Sequence, residues 1–379
     1  SKYRGYIMSC PLCSSEHILP LYSVMNVPAF QNKVYPTESL AESVPCGNIS
    51  LSFCENCGFV WNATFNPSLL EYDEHYQNEQ GYSPVFQSHL QNVCDILLPH
   101  LSSKAHIVEI GCGKATFLRK LGELGYNVHG YDPAYEGTDT RIIKEYYSRE
   151  TVSQHSFGEA DLIILRHVLE HIPDPLQFLQ SIAEANNYHG LLYIEVPDFR
   201  WIIEKNAFYD VFFEHCNYFS LQALTGLFSK VIHYGTFFGD QYCYVIARLA
   251  DLRAPSMGSY RLLSPPTLDF ERCVSAWKDV VLSGSFVIWG AGAKGATFLR
   301  EIDPTRQTIL AVVDINPKKQ GKYMPKTAHP VVTPEDLHDL KISGLIIMNE
   351  NYLKEISERV WNICGEVPIY VLGKKPIPL

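Results

Sequence analysis

The chain has 379 residues, of which 46% are hydrophobic and 19% charged, and this composition supports two or three domains with substantial cores. A formal net charge of −10 without a basic cluster excludes nucleic acid as the expected partner. No apolar run approaches the ~20 residues that a membrane helix needs, so no membrane association is predicted. No apolar signal core follows residues 1–4, which favours a cytoplasmic protein with reduced cysteines.

Two Cys-x-x-Cys motifs mark the first segment. Cys10 pairs with Cys13, and Cys54 pairs with Cys57. Four thiolates in two such pairs suit a tetrahedral structural zinc ion, whereas unconnected buried cysteines or a redox pair are the alternatives. We predict a zinc-binding lobe over residues 1–66, too small to be stable without its metal. Chelation is expected to loosen this lobe and to leave the glycine turn described below intact.

A polar, aromatic loop and a helix come next. The loop covers residues 72–83 and is predicted to be either a solvent-facing segment or, as we favour, a lid over a ligand. Residues 84–100 carry apolar side chains at helical spacing, which predicts a helix that covers a sheet.

A strand, a glycine turn and a helix form the centre of the sequence. Apolar residues lead to Glu109, and Gly111, Cys112 and Gly113 precede a helical run. Backbone in such a turn can approach a ligand closely. The next strand ends in Asp132, where a doubly wound sheet holds a ribose. An acid two positions before Gly-x-Gly is typical of methyltransferases that use S-adenosylmethionine (SAM), and the alternative is a tight connection without a ligand.

Polar residues follow two later strands of the same predicted sheet. Arg166 and His167 come directly after a continuous apolar strand, where the sheet opens into a ligand crevice. Residues 190–197 predict the next strand, and a polar and aromatic cluster covers residues 212–220. We therefore predict an α/β, Rossmann-like domain over residues 67–252.

A second glycine turn lies in the last segment. Prolines indicate a linker near residue 253, and an apolar strand then runs into a complete Gly-x-Gly-x-x-Gly from Gly290 to Gly295. Asp314 ends the following strand. A second Rossmann-like domain is predicted over residues 253–379. On this pattern alone, an NAD-dependent oxidoreductase is the alternative function.

The whole chain resembles the deoxysugar C-methyltransferase family, which methylates carbon 3 of nucleotide-linked 4-keto sugars. The resemblance rests on the order of its motifs: the paired cysteines, the turn at 109–112, the segments 167–172 and 214–220, and the terminal glycine-rich domain. It implies a nucleotide-sugar substrate, SAM and structural zinc as cofactors, and a terminal domain that helps to hold the substrate, although a terminal domain that only braces the fold is an alternative. It does not fix an oligomeric state.

The resemblance also implies roles for single residues. His215 matches the general base, Glu214 its neighbour, and His171 a second active-site histidine. The donor-binding residues are expected to be Tyr76, Glu109, Gly111, Cys112, Gly113, Asp132, Arg166 and His167. The substrate-binding residues are expected to be Asn217, Tyr218, Lys294 and Lys319. Two features depart from the family pattern: Phe212 replaces a tyrosine, and residues 76–80 differ from the family's lid motif.

The implied chemistry is a carbon methylation through an enolate. A hydrogen beside a ketone is acidic, and an imidazole that titrates near neutrality can remove it. Glu214 is expected to hold His215 in its basic tautomer, and His171, Asn217 or Tyr218 to donate to the enolate oxygen. Methyl transfer to oxygen or nitrogen of a related sugar, and a non-catalytic carbohydrate-binding scaffold, are alternatives.

Overall fold

The computed structural model describes residues 8–70, 83–257 and 261–379. The strands are β1 (Ile18–Pro28), β2 (Cys46–Cys54), β3 (Val60–Asn62), β4 (His106–Ile110), β5 (Asn127–Tyr131), β6 (Ile142–Ile143), β7 (Leu162–Arg166), β8 (Leu191–Pro197), β9 (Asn217–Tyr218), β10 (His233–Phe237), β11 (Tyr242–Arg248), β12 (Phe286–Trp289), β13 (Ile309–Val313), β14 (Val331–Val332), β15 (Gly344–Ile347) and β16 (Ile369–Val371). The helices are α1 (Glu38–Glu42), α2 (Pro84–Leu97), α3 (Thr116–Glu123), α4 (Arg149–Ser153), α5 (Pro175–Ala185), α6 (Phe199–Lys205), α7 (Leu221–Thr225), α8 (Phe270–Val281), α9 (Ala293–Ile302) and α10 (Leu353–Cys364). Nearly all of the expected lid, including Tyr76, lies outside the described residues.

The first sheet is antiparallel and has the order β1-β2-β3-β9. Its last strand comes from a distant part of the chain, because Val60 pairs with Tyr218 and Trp61 with Asn217. The segment that directly follows His215 therefore completes the sheet of the cysteine-containing lobe. This lobe is joined to the central domain by main-chain hydrogen bonds.

The central sheet has seven strands in the order β10-β11-β8-β7-β4-β5-β6. The strands from β8 to β6 run parallel, and β11 is antiparallel to both of its neighbours. Alternate residues of β4 and β7 enter two different cores: Val108 and Ile163 lie in one, and Ile107 and Leu162 in the other. Both faces are thus covered, which explains why these strands are continuously apolar.

The third sheet is wholly parallel and has the order β14-β13-β12-β15-β16. The strand order reverses between β12 and β15, and it reverses between β4 and β7 in the central sheet. Such switch points open a crevice at the carboxyl ends of the strands. The predicted α/β class with two Rossmann-like sheets is confirmed.

We propose that the three domains span residues 1–66, 67–252 and 253–379. Strand β9 belongs to the second range but pairs with the sheet of the first. Within the described segments, no helix combines the length and the apolar character required to cross a membrane.

Candidate functional site

The first glycine turn is shaped by positive φ angles. Gly111 has φ +70° and Gly113 has φ +56°, a region that favours glycine. A Cβ at Gly111 would lie 2.8 Å from Cγ2 of Val168, so the turn is also tightly packed. Ala115 stands at the usual place of a third glycine, has φ 62° and precedes α3. Asp132 faces this turn, because its Oδ2 accepts a hydrogen bond from the Gly113 N–H at 2.8 Å.

Glu109 lies beneath the turn rather than at its rim. Its side chain is buried, and this burial raises its pKa to about 8, although the charge of Arg166 opposes the rise. Cys112 is buried as well, and burial raises the pKa of its thiol, so the thiol is protonated at neutral pH. The two side chains support the turn from within the protein.

A network of charged and polar side chains surrounds a carboxylate of strand β8. Glu195 of β8 is fully buried and accepts hydrogen bonds from the Tyr193 hydroxyl at 2.7 Å and from Arg166 Nη2 at 3.5 Å. Its carboxylate also lies 2.7 Å from His167 Nε2 and 3.2 Å from His89 Nε2. Burial favours the neutral acid, yet Arg166 and the two histidines hold the pKa of Glu195 well below its usual range. Sequence reasoning missed Glu195 and His89, although an acid within an apolar strand requires a buried partner.

His167 is held between two carboxylates. Its Nδ1 lies 3.4 Å from Oε2 of Glu170, and its Nε2 contacts Glu195. Burial opposes protonation, but Glu170 and Glu195 outweigh burial and raise the pKa of His167 to about 9. The imidazolium is therefore the stable form at neutral pH. Glu170 is buried, and neither of its carboxylate oxygens has a hydrogen-bond partner among the described residues.

His171 and His215 lie side by side. Their ring centroids are 4.8 Å apart, and the ring of Phe212 packs on His215 with centroids 4.1 Å apart. Burial and the nearby charge of His171 hold the pKa of His215 well below its usual range, so its imidazole is unprotonated at neutral pH. Ligand atoms of Glu170, His171 and His215 fall within 4.8 Å of one another, and imidazole and carboxylate are also donors to divalent metal ions.

His171 is oriented by main chain. Its Nδ1 lies 2.7 Å from the carbonyl oxygen of Glu214. Because a carbonyl oxygen only accepts, Nδ1 of His171 carries a proton, and Nε2 is the ring nitrogen that this bond leaves unused.

The Glu214 side chain points elsewhere than expected. It is fully buried, and within the described part of the chain its carboxylate is bonded to the loop at 31–32 rather than to His215. The backbone N–H of Gln31 and that of Asn32 both donate to Oε1, the latter at 2.9 Å.

Asn217 and Tyr218 correct a second expectation. Asn217 Nδ2 donates to the carbonyl oxygens of Leu169 at 2.9 Å and Ile172 at 2.5 Å. The Tyr218 hydroxyl donates to the carbonyl oxygen of Phe212 at 3.1 Å. Both side chains are buried, and neither lines the cavity described next. They fix the backbone on either side of the histidine pair, so a substrate contact by either residue does not fit this geometry.

A cavity of about 430 Å³ joins the histidine pair to the second glycine turn. From the first lobe and central domain it is lined by Asn32, Ser83, Pro84, His167, Glu170, His171, Pro197, Asp210, Phe212, His215 and Tyr242. From the terminal domain it is lined by residues of the turn, including Gly290 and Lys294, and by residues 314–319 and 348–359 in part. This volume suits a small-molecule ligand.

Both lysines predicted to meet the substrate line this cavity, and both already have protein partners. Lys294 forms an ion pair with Asp210 and lies 5.4 Å from the centroid of the Trp201 ring. Lys319 is buried, and its Nζ donates to the Ala291 carbonyl oxygen at 3.1 Å. Burial lowers the pKa of Lys319.

Backbone N–H groups of the second glycine turn, which would face the pyrophosphate in a dinucleotide site, are bonded to protein side chains. The N–H of Ala293, the first residue of α9, donates to Asn32 Oδ1 at 2.9 Å. Asp314 Oδ2 accepts from the Ala291 N–H at 2.9 Å. A pyrophosphate at the N-terminus of α9 would have to displace the Asn32 amide. The geometry therefore disfavours the oxidoreductase alternative.

The four predicted zinc ligands converge. Sγ of Cys10 lies 3.6 Å from that of Cys57, and Sγ of Cys13 lies 3.5 Å from that of Cys54. All four sulfur atoms fall within 4.8 Å of one another. Tetrahedral zinc with Zn–S bonds of ~2.3 Å separates its sulfur atoms by roughly 3.8 Å, so the arrangement fits zinc with modest adjustment.

The fold and the turns define an α/β protein built to bind a nucleoside ligand. A model of the methyltransferase domain matches residues 86–231, and a model of the C-methyltransferase C-terminal domain matches residues 277–369. The C-methyltransferase NovU of Streptomyces niveus is 24% identical over 390 aligned positions, which cover 92% of this chain and 91% of that protein. A ubiquinone biosynthesis O-methyltransferase of Hydrogenovibrio crunogenus is 29% identical over 21% of this chain and 37% of its own length.

Solved structures include a SAM-dependent methyltransferase from Archaeoglobus fulgidus, which is 15% identical, covers 45% of this chain and 96% of its own, and has a TM-score of 0.34. At that score the likeness does not contribute to the assignment. The sequence matches do: the chain carries a methyltransferase domain and the C-terminal domain of the C-methyltransferases, and it is a SAM-dependent methyltransferase.

Proposed function

We propose that the protein transfers a methyl group from SAM to carbon 3 of a nucleotide-linked 4-keto deoxysugar, with His215 as the general base. The observation that carries this proposal is a half-buried imidazole, unprotonated at neutral pH, that lines a cavity of substrate size. The similarity to the C-methyltransferase NovU along nearly the whole chain supports transfer to carbon.

The residues of the first turn fit the donor. Gly111 and Gly113 allow close approach of the backbone, and the Asp132 carboxylate at the turn suits the ribose hydroxyls. When bound there, SAM supplies an electrophilic sulfonium methyl group. Glu109 supports this site from below, since its burial keeps it away from the rim. Arg166 and His167 belong to the charged network beneath the site.

His215 takes the proton from carbon 3 of the sugar, and the electron pair of that bond delocalises onto the ketone oxygen. SAM held at the Gly111–Gly113 turn would supply the methyl group to the enolate carbon and would leave as S-adenosylhomocysteine. The protonated imidazole afterwards releases its proton to water. Holding base and acceptor together in one cavity lowers the entropic cost of this arrangement.

His171 and Glu214 take supporting roles. The Nδ1–H of His171 is engaged by the Glu214 carbonyl oxygen, which leaves Nε2 for a contact to a sugar hydroxyl. Glu214 acts on the base through the main chain, since its carboxylate contacts the loop at 31–32. We propose that Lys294 and Lys319 lie near the diphosphate, where an incoming anion would share them with their present partners.

The test is turnover with labelled SAM and a panel of nucleotide-linked keto sugars, with mass spectrometry of the products. We expect a methylated carbon. We expect His215→Ala to bind SAM with unchanged affinity and to lose at least ~10²-fold in turnover, since general base catalysis contributes about 10²–10⁴-fold. Asn66→Ala, an exposed capping residue of the first lobe, is the control.

A second measurement isolates the proton transfer. In deuterated water without SAM, the wild-type protein should exchange the acidic hydrogen of a keto sugar, and His215→Ala should not. Methylated oxygen or nitrogen without such exchange would replace the proposal by the corresponding alternative. Substantial activity of His215→Ala would assign the base to another group.

A further inference from the structure

The loop between β1 and α1 reaches the active site from the first lobe. Asn32 in this loop lines the cavity and is half-buried. Its side-chain amide is both an acceptor and a donor. Oδ1 accepts from the Ala293 N–H at 2.9 Å, and Nδ2 donates to Glu214 Oε2 at 3.3 Å. Its backbone N–H donates to Oε1 of the same carboxylate at 2.9 Å. Asn32 therefore joins α9 of the terminal domain to the residue that precedes His215.

The same line of contacts continues to the histidine pair. The carbonyl oxygen of Glu214 accepts from His171 Nδ1 at 2.7 Å, and this bond sets the tautomer of His171. His171 in turn lies 4.8 Å, ring centroid to ring centroid, from His215. A shift of the Glu214 side chain would move the main chain at residues 214–215. That main chain carries the Glu214 carbonyl oxygen, which is bonded to His171, and the side chain of His215.

We propose that Asn32 is a positioning residue for methyl transfer, which holds Glu214 and thereby the His171–His215 pair in register with the glycine turn of the terminal domain. The inference rests on the proposed function of His215. It gives the cysteine-containing lobe a part in positioning the histidine pair, beyond the folding role expected from its sequence.

An amide is suited to this position because it donates and accepts at the same time. Asn32→Asp preserves the size of the side chain and the acceptor for the Ala293 N–H, which a carboxylate at the N-terminus of α9 would strengthen. It removes the donor to Glu214 and places two carboxylates together, which disfavours the present position of Glu214. This variant therefore separates the contact to Glu214 from the contact to α9.

The experiment compares the wild-type protein, Asn32→Asp, Asn32→Ser and the control Asn66→Ala. We expect Asn32→Asp to lose ~10–100-fold in kcat, by analogy with the loss seen when the partner that orients a metal-bound histidine is changed. Deuterium exchange at the sugar carbon should fall in the same ratio, while the Kd for SAM stays unchanged. Asn32→Ser retains a short donor and acceptor and should recover part of the loss.

Nitrogen NMR of histidine-labelled protein provides a readout that needs no substrate. The wild-type protein should show His171 protonated at Nδ1, and Asn32→Asp should shift the signals of His171 and His215. Equal kcat, exchange and histidine signals in Asn32→Asp and the wild-type protein would overturn the inference, as would an equal loss in Asn66→Ala. Failure of the wild-type protein to exchange or methylate any keto sugar would instead overturn the proposed function, and the NMR comparison would then still test whether Asn32 positions the pair.

Discussion

The environment of His215 decides whether it can act as a base. The Phe212 ring packs on the imidazole where the related family carries a tyrosine, and burial is the main cause of the depressed pKa of His215. A depressed pKa keeps the imidazole unprotonated as the pH falls, until the pH reaches the lowered value. The base should therefore remain competent below pH ~6.5, the ordinary titration point of histidine.

Opening this environment should move the acid limb of activity. In Phe212→Ala, water reaches the imidazole, so its pKa rises towards the ordinary value and the acid limb of kcat/KM moves to higher pH. Phe212→Leu keeps an apolar contact and should leave the limb near its wild-type position. The measurement is kcat/KM between pH 4.5 and 8, a window set around the ordinary histidine pKa of about 6.5. An unchanged limb in Phe212→Ala would show that burial by this ring does not set the pKa.

At the scale of elements, the terminal glycine turn is fixed by close packing between α9 and the end of β12. A Cβ at Gly295 would lie 2.2 Å from the carbonyl oxygen of Gly290, and that oxygen belongs to backbone with φ +128°. A dinucleotide fingerprint has its third glycine for the same steric reason. The motif is therefore explained by helix–strand packing even though Asn32 occupies the end of the helix.

Gly295→Ala should destabilise the terminal domain by ~2 kcal/mol, because neither backbone segment can yield without moving α9. Urea denaturation followed by hydrogen exchange in residues 286–313 measures the change. Glu358→Ala, an exposed position on α10 of the same domain, should stay within about 0.5 kcal/mol of the wild-type protein. Equal stability of Gly295→Ala and the wild-type protein would contradict the packing argument.

At the scale of the whole molecule, the first lobe is tied to both other domains. β3 pairs with β9 directly after His215, and the loop at 31–32 contacts Glu214. Arg306 of the terminal domain also lies 3.6 Å from Glu38. We therefore propose that loss of a zinc ion from the cysteine cluster would reach the histidine pair, although the first glycine turn is still expected to stay intact.

Cys54→Ser should lower the zinc content and reduce turnover, while the Kd for SAM changes by no more than a factor of ~3, since the donor turn belongs to another sheet. Cys46→Ser is the matched control, because Cys46 lies in the same lobe outside the cluster and bonds to the Val44 carbonyl oxygen. Metal analysis, calorimetry with SAM and turnover are the measurements. Absence of zinc from the native protein would overturn the metal assignment, and full turnover without zinc would overturn the coupling.

The local patterns of the sequence determined the α/β class, both glycine turns and the four converging cysteines. Periodicity and spacing suffice for these features because each depends on residues close together in the chain or on ligand chemistry. The resemblance to a known family supplied His215 and His171, and the structure places the two side by side in one cavity.

Only the tertiary structure decided where polar side chains point. Asn217 and Tyr218 bond to backbone, Glu214 turns towards the first lobe, and Asn32 occupies the end of α9. The partners in these contacts lie far apart in the sequence. A buried polar group takes whichever partner the packed domains bring to it, and a residue pattern along one chain contains no record of that choice.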